Sequence, residues 1–578
     1  MENQGRLVLF LVLSMLILFV STYFMPVPPP PAPQALVKQG ANATPQNQNS
    51  LAESIQAPSV TSKITAPSHQ MPPVPVATWT VETDDYVATF TNQGGLLTGF
   101  ALKKYLNRQT QMPVQLVDSD SGRPKPFQVD YAAIPDADQR VYHVEGPSNL
   151  KLLKPEDTGS LSFTTLNEGG TQLTKTFHFK NNSYLIDFEI SVSQFGKSSL
   201  VASPLAVQWS DSLGLEEITG TQSRVQNRVA ILAGDHVISE TIKKSQESIE
   251  IPAPVSWMAL ANQFFVAALI PDSSTGSASV RVLRDTHAFV TPTQENPNPG
   301  LDPNAFNPRP VLVFQGQAIQ NGQSFFHKGQ LFFGPQDYSL MKSFSIHLEK
   351  VADFGMLDYI HLRFMVEYML QLLKWFYTYV HNWGLAILLL SVLIKLVLWF
   401  PTHSSYKNMY MTQQKMKEIQ PKLEALKRKY PDDKQKQQEE TMKLYQQAGI
   451  NPLGGCLPLF FQMPVFFALY ATLSHCIELR GANFLWLSDL TLMDKTHVLP
   501  LLMGVSMIVQ QKVSGQAANM ATGQQKFMMW FFPVFLSIIS LKWASGLLLY
   551  WMITNVLSIV QQKIVNREIK NARKKEEA

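Results

Sequence analysis

The sequence is short of cysteine and short of charge. Of its 578 residues only two are cysteines, Cys456 and Cys476, and 16% carry a charged side chain. The two cysteines bracket an apolar stretch, where about twenty residues of helix hold them roughly 30 Å apart. They cannot pair, so no disulfide framework exists and the compartment of the polar part stays open. The net charge of +4 is too small to argue for nucleic-acid specificity from the whole chain. There is no glycine-rich phosphate loop, so no nucleotide supplies the drive. The polar half has no cluster of histidines with carboxylates and no nucleophile motif, which leaves bond chemistry, a metal or a cofactor without residues to support it. Paired carboxylates are missing from the apolar half as well. That disfavours a proton relay or a cation pump.

What is present is hydrophobic residue in unequal portions. The chain is 45% hydrophobic yet its mean hydropathy is near zero, an average that hides two solvents. Leu7 to Phe24 form an apolar run long enough to span a bilayer. A cleavable signal peptide is the rival reading, but the run is longer than a signal core and enters Met25-Pro26-Val27-Pro28-Pro29-Pro30-Pro31 without an Ala-x-Ala site. An uncleaved anchor over 1–25 is the expectation. Residues 26–75 are rich in Pro, Ala, Gln, Asn and Ser and cannot bury enough surface to fold, so they read as a disordered tether.

Residues 76–345 read as an all-β sandwich domain. Alternating runs such as Tyr86–Phe90, Gln172–Phe179 and Tyr184–Ile190 are separated by the turn signals Asn92-Gln-Gly-Gly95, Asn167-Glu-Gly-Gly170 and Asn181-Asn182. No pocket is singled out, and a spacer or partner-binding role is the plainer reading. Within 346–376, apolar residues at 360, 364, 365, 368, 369, 372, 373 and 376 make one helical face. They predict an amphipathic helix on the membrane surface, with a packed helix of the β domain as the alternative.

Five apolar spans crowd residues 377–562, and the first of them, Trp383–Phe400, carries Lys395 near its middle. An ammonium there costs about 2.5–3.5 kcal/mol on insertion scales. It is expected to face a bundle interior or a watery cavity, with snorkelling towards His403 as the alternative. The other spans, about 457–475, 497–511, 527–541 and 544–562, are short, and Pro458, Pro464, Pro500 and Pro533 are expected to interrupt three of them. Fifteen residues of helix reach about 22 Å against a hydrocarbon core of roughly 30 Å, which implies local thinning or internal polar surface. Ten Lys or Arg in 403–451 and six from Lys563 onward mark the cytoplasm. Six spans with both ends cytoplasmic satisfy that rule and place the β domain outside.

Between the spans, Met409, Met416, Ile419, Leu423, Leu426 and Tyr430 follow a heptad seam, with Met442 and Tyr445 set to cover it from a returning helix. Pro421 is expected to kink the first arm. This basic hairpin over 403–451 presents Lys415, Lys417, Lys422, Lys427, Arg428 and Lys429 as an arm for a large partner, unless the charge reflects orientation alone. Inside the spans, Ser391 and Lys395 share a helix face, as do Ser506 and Gln510. With Gln462, Tyr550, Trp551, Thr554 and Asn555 they are candidates to line a groove open to the cytoplasm.

Four stretches carry a resemblance. Asn451-Pro-Leu-Gly-Gly-Cys-Leu-Pro-Leu-Phe-Phe-Gln-Met-Pro-Val-Phe-Phe-Ala-Leu-Tyr470, Asn382-Trp-Gly384, Leu499–Gly504 and Ser545–Asn555 closely resemble the signatures of the YidC membrane protein insertases. The order of anchor, tether, periplasmic β-supersandwich, amphipathic helix and five-span core over 377–562, with a basic cytoplasmic tail at 563–578, is similar throughout. The resemblance implies an insertase and chaperone of the bacterial inner membrane, not an enzyme, acting alone or beside the Sec translocon. It implies nascent membrane proteins as substrates. The ribosome and the signal recognition particle pathway would meet the hairpin and tail. The family's groove arginine falls on Lys395, its threonine one turn earlier on Ser391, its aromatic contact on Trp551 and its glutamine on Gln462. Lysine keeps the charge but loses the rigid fork of guanidinium donors. A solute or ion transporter, or a structural assembly factor, is the competing class.

Overall fold

The computed structural model describes residues 74–577, apart from 109, 118–124, 197–198, 210–212, 214–227, 241–247, 286–306, 355, 360–361, 432, 451–456 and 515–522. The expected anchor, nearly all of the tether and the start of the longest signature therefore lie outside the described residues.

The strands run from Thr78–Glu82 to Gln323–Pro335 in three sheets, one of nine strands and two of five. The long antiparallel strands Thr171–Lys180, Leu185–Gln194 and Gln323–Pro335 lie side by side within the nine-stranded sheet. In the first two, buried and accessible side chains alternate over most of the length, the two-residue period of a pleated strand with one face on a core. Phenylalanines fill the space beneath: Phe90 lies 5.0 Å from Phe177, and Phe100 stacks on Phe333 at 4.6 Å. Offset aromatic pairs add about 0.5–1.5 kcal/mol each beyond their buried area. The turn signals fall where backbone strain requires them. Gly94, Gly95 and Gly170 have φ of 74°, 58° and 76°, and Asn182 has 53°, the left-handed region that Gly and Asn tolerate.

After two short helices, Tyr338–Ser343 and Met356–Tyr359, eight longer ones follow. They are α1 (Arg363–Val380), α2 (Trp383–Val397), α3 (Trp399–Lys429), α4 (Lys434–Gln447), α5 (Leu457–His475), α6 (Val498–Val513), α7 (Gly523–Ser540) and α8 (Ser545–Glu577). Asn382 caps α2, its side chain accepting from Leu385 N at 3.0 Å. The expected interruptions by proline do not occur. Pro464 and Pro533 lie inside α5 and α7, while Pro458 and Pro500 fall in first turns, where the missing N–H has no carbonyl to meet. Pro421 likewise lies within the continuous α3. The break comes instead between α2 and α3, whose axes differ by 67°.

Among the described residues no single helix is both long and apolar enough to cross a membrane, although the bent pair of α2 and α3 is so when taken together. The outward face of α2 nevertheless carries Leu385, Leu389, Val392 and Leu396, and Phe400 at the start of α3 is 82% exposed. The basic tail is no separate segment: α8 continues through it to Glu577, about 50 Å of helix. The seam of the hairpin also divides. Met416, Ile419 and Leu423 pack with Leu444, Tyr445, Ala448 and Ile450. Met409, by contrast, leaves the hairpin and joins Tyr406, Val565 and Ile569 against α8.

Candidate functional site

Lys395 stands in the last turn of α2 with only 6% of its surface exposed. Its ammonium turns inward, donating to Ser558 Oγ on α8 at 2.8 Å and lying 5.5 Å from the centre of the Tyr406 ring. No carboxylate pairs with it among the described residues. A buried charge in this setting relies on hydroxyl and ring dipoles in place of an ion pair. Ser558 Oγ in turn donates to Thr554 O at 2.7 Å, which fixes its lone pairs towards the lysine. Ser391 is buried on the same face of α2, but its hydroxyl bonds back to Ile387 O at 2.6 Å and not to Lys395. This local bond satisfies the hydroxyl within its own helix.

Two further polar pairs cross the bundle. Gln462 Nε2 on α5 donates to Tyr550 OH at 2.6 Å. Asn555 Nδ2 on α8 donates to Ser506 Oγ on α6 at 2.9 Å. Gln510 is half-buried one turn beyond Ser506. Trp551 is half-buried as well, 5.0 Å from Phe466 and stacked 5.7 Å from Trp543. Tyr550, Thr554, Asn555 and Ser558 thus set a polar stripe along α8, facing α5, α6 and α2 in turn. Apolar side chains occupy the other flank, where Val556 and Val560 are half exposed. Sequence reasoning missed Ser558 and the residues beyond it, Gln561, Gln562 and Asn566. The signal was there, since 554, 558, 561 and 562 repeat at helical spacing.

In the hairpin, Lys415, Lys417, Lys422, Arg428 and Lys429 are all exposed along α3, while Lys427 is placed by its backbone alone. Lys415 Nζ reaches Gly449 O at 3.5 Å across the turn. Lys417, Lys422, Arg428 and Lys429 project from the arm.

Residues 375–574 match the family described as 60Kd inner membrane protein, and residues 78–369 match the YidC periplasmic domain. The chain belongs to the YidC family of membrane protein insertases. The YidC insertase of Syntrophus aciditrophicus is 32% identical over 498 residues, covering 85% of each chain. That of Geotalea daltonii is 31% identical over 573 residues, covering 98% of this chain and 99% of its own. A solved active YidC insertase, with its first transmembrane domain resolved, aligns with 83% of this chain and 90% of its own, at 17% identity and a TM-score of 0.31. Family membership makes this an inner-membrane protein with a periplasmic β-sandwich domain.

Proposed function

We propose that the chain is an insertase that guides nascent hydrophobic segments into the inner membrane along the stripe from Tyr550 to Ser558. The observation that carries this reading is the buried Lys395 ammonium held by a hydroxyl and an aromatic ring. A transporter built around a buried lysine calls for an acidic counter-charge to titrate against, whereas a surface that receives passing peptide needs exchangeable partners. Water and polar side chains inside the bundle replace part of the hydration that a substrate's polar tail loses. The short helices shorten its path through the bilayer. The substrate span then slides out to lipid past Trp551, and its burial in hydrocarbon supplies the drive. The insertase changes partitioning and makes or breaks no bond. The Lys395 cation favours acidic residues in the passing tail.

In this reading the anchor over 1–25 and the five spans of 377–562 cross the membrane, both ends are cytoplasmic, and 346–376 lies at the outer surface. The hairpin over 403–451 and the tail at 563–578 meet the ribosome and signal recognition particle pathway, and the core works alone or beside the Sec translocon. The exposed Lys and Arg row on α3 supports a polyanionic partner there.

A photo-crosslinking residue at Trp551, and separately at Val556, tests the reading during synthesis of a short membrane protein in vesicles. Adducts to the substrate's span are expected from Trp551 and not from Val556. Equal labelling from both positions removes guidance by this face of α8.

A further inference from the structure

Beyond Lys395, away from Tyr550, the polar stripe of α8 does not stop. Gln561 is wholly buried, and its Nε2 donates to Thr402 Oγ1 on α3 at 3.1 Å. Nε2 also donates to Trp399 O at 3.2 Å. Next to it, Gln562 Nε2 bonds Asn566 Oδ1 at 2.9 Å, and Asn566 reaches Val513 O at 3.1 Å. Three buried polar atoms here have no partner among the described residues: Ser405 Oγ, His403 Nδ1 and Gln562 Oε1. Ser405 is one turn on from Thr402, on the side of α3 that meets α8.

Leaving a buried polar atom unmade costs about 1–3 kcal/mol. Three within one small contact indicate a surface adapted to partners that this state excludes. What seals it is slight. Tyr406 and Met409 pack with Val565 and Ile569 in a cluster separate from the main core of the bundle, helped by a contact of 3.3 Å between His403 Nε2 and Glu568 Oε2 at the rim. The break between α2 and α3 lies beside it. Pro401 has no N–H to give, and the Thr402 hydroxyl donates to Leu398 O at 2.5 Å and approaches Trp399 O at 3.2 Å, engaging carbonyls that bracket the bend.

We propose that Thr402, Ser405, Gln561 and Gln562 form a second polar station, and that it takes the peptide groups and polar side chains of a substrate's hydrophilic segment once α3 lifts from α8. The first turns of α3 are then a lid over both this station and Lys395, since the Tyr406 ring covers the ammonium. The proposal rests on the insertase reading and adds the order of events: the lid opens, the hydrophilic segment occupies the second station, and only then does it pass Lys395.

The test uses the full chain in vesicles with Cys456 and Cys476 replaced by alanine and cysteines placed at the rim pair His403 and Glu568, which face each other across α3 and α8 outside the station. A short bis-methanethiosulfonate, cleavable by reductant, clamps α3 to α8. Insertion of a single-span protein with a polar amino-terminal tail is read by protease protection of the tail. The clamped protein is expected to insert at least tenfold more slowly and to recover on reduction. Equal rates clamped and reduced overturn the lid. In a second arm a photo-crosslinking residue at Ser405, in an otherwise unaltered chain, is expected to label the polar tail. Labelling at Trp551 with none at Ser405 overturns the station while leaving the insertase reading standing. If the unaltered chain inserts no more than protein-free vesicles, that reading falls, and the lid with it.

Discussion

Among the described residues two lysines are buried, and the chain holds them in different ways. Lys395 meets one hydroxyl and one ring. Lys175, in the strand Thr171–Lys180, is fully enclosed by the β domain and donates to Gly94 O at 2.7 Å and Phe127 O at 2.8 Å. It pins the Gly94-Gly95 turn and the left-handed Phe127 (φ 74°) beneath the nine-stranded sheet. Burial lowers its ammonium to about 8, against an attraction from Asp138 that works the other way. Between pH 8 and 10 the unfolded chain therefore keeps a proton that the folded one has released, so folding stability contributed by this group rises with pH. Replacing it by methionine leaves two buried carbonyls unpaired, at about 1–3 kcal/mol each. The Lys175→Met protein is expected to unfold at lower urea in pulse proteolysis. Its deficit relative to the parent should grow by about 2–3 kcal/mol from pH 8 to pH 10. A deficit that shrinks over that range would show the buried amine to be charged throughout. Lys395 was legible because a charge in an apolar run stands out. Lys175 was not: in the alternation Gln172-Leu-Thr-Lys-Thr-Phe it occupies the inward register of Leu173 and Phe177, and period alone cannot say that a core accepts an ammonium.

Elements were more legible than their faces. Helices lie over the apolar runs of the second half, because an apolar run is a local signal. The faces depend on neighbours. On α1 the predicted single apolar face is divided between two surroundings: Val366, Met369, Leu370 and Leu373 pack into the bundle, while Phe364, Tyr368, Trp375 and Tyr379 point outward. A ring of exposed aromatics suits the interfacial region of a bilayer. The same dependence governs Gly384 at the start of α2. A Cβ there would lie 2.1 Å from the Phe484 ring, so glycine is needed to let the 484–487 turn close over the helix end. Gly384→Val is expected to lower stability in detergent by about 1–3 kcal/mol through that overlap. Adding Phe484→Ala should return most of the loss, since the two residues share one contact. Additive losses would place the strain elsewhere.

At the scale of the whole molecule, the β domain is seated on the bundle by a set of polar contacts that no local pattern announces. Arg108 Nε pairs with Asp489 Oδ2 at 2.8 Å and its NH2 group donates to Thr491 Oγ1 at 2.7 Å. Arg480 donates to Leu106 O at 2.6 Å, and Gln263 Nε2 to Ser474 O at 2.9 Å. Lys374 on α1 bridges Asp337 at 3.0 Å and Glu478 at 2.6 Å. The partners of Arg108, Arg480 and Gln263 lie more than two hundred residues away in the chain, which is why the sequence left the large domain as a spacer or partner-binding unit. Asp489 is the centre of the set: it also accepts from Gly481 N at 2.9 Å and from Thr491 N at 2.8 Å, and its own carbonyl accepts from Ser545 Oγ at 3.0 Å at the head of α8. The segment 476–496 thus joins the domain to α8, the helix that carries the polar stripe. Arg108→Ala removes the charged donor and leaves the backbone donors, so its loss is that of one charge-assisted bond, about 1.5–3 kcal/mol. Amides of 476–496 are then expected to exchange hydrogen roughly ten- to a hundredfold faster, since each 1.4 kcal/mol is a factor of ten. Those of the strands Thr171–Lys180 and Leu185–Gln194 should keep their protection, because their ladder does not pass through Arg108. Faster exchange in the strands as well would make the arginine part of the β core. Unchanged exchange in the loop would mean that Asp489 is held by its own segment alone, with the domain resting on a surface already formed.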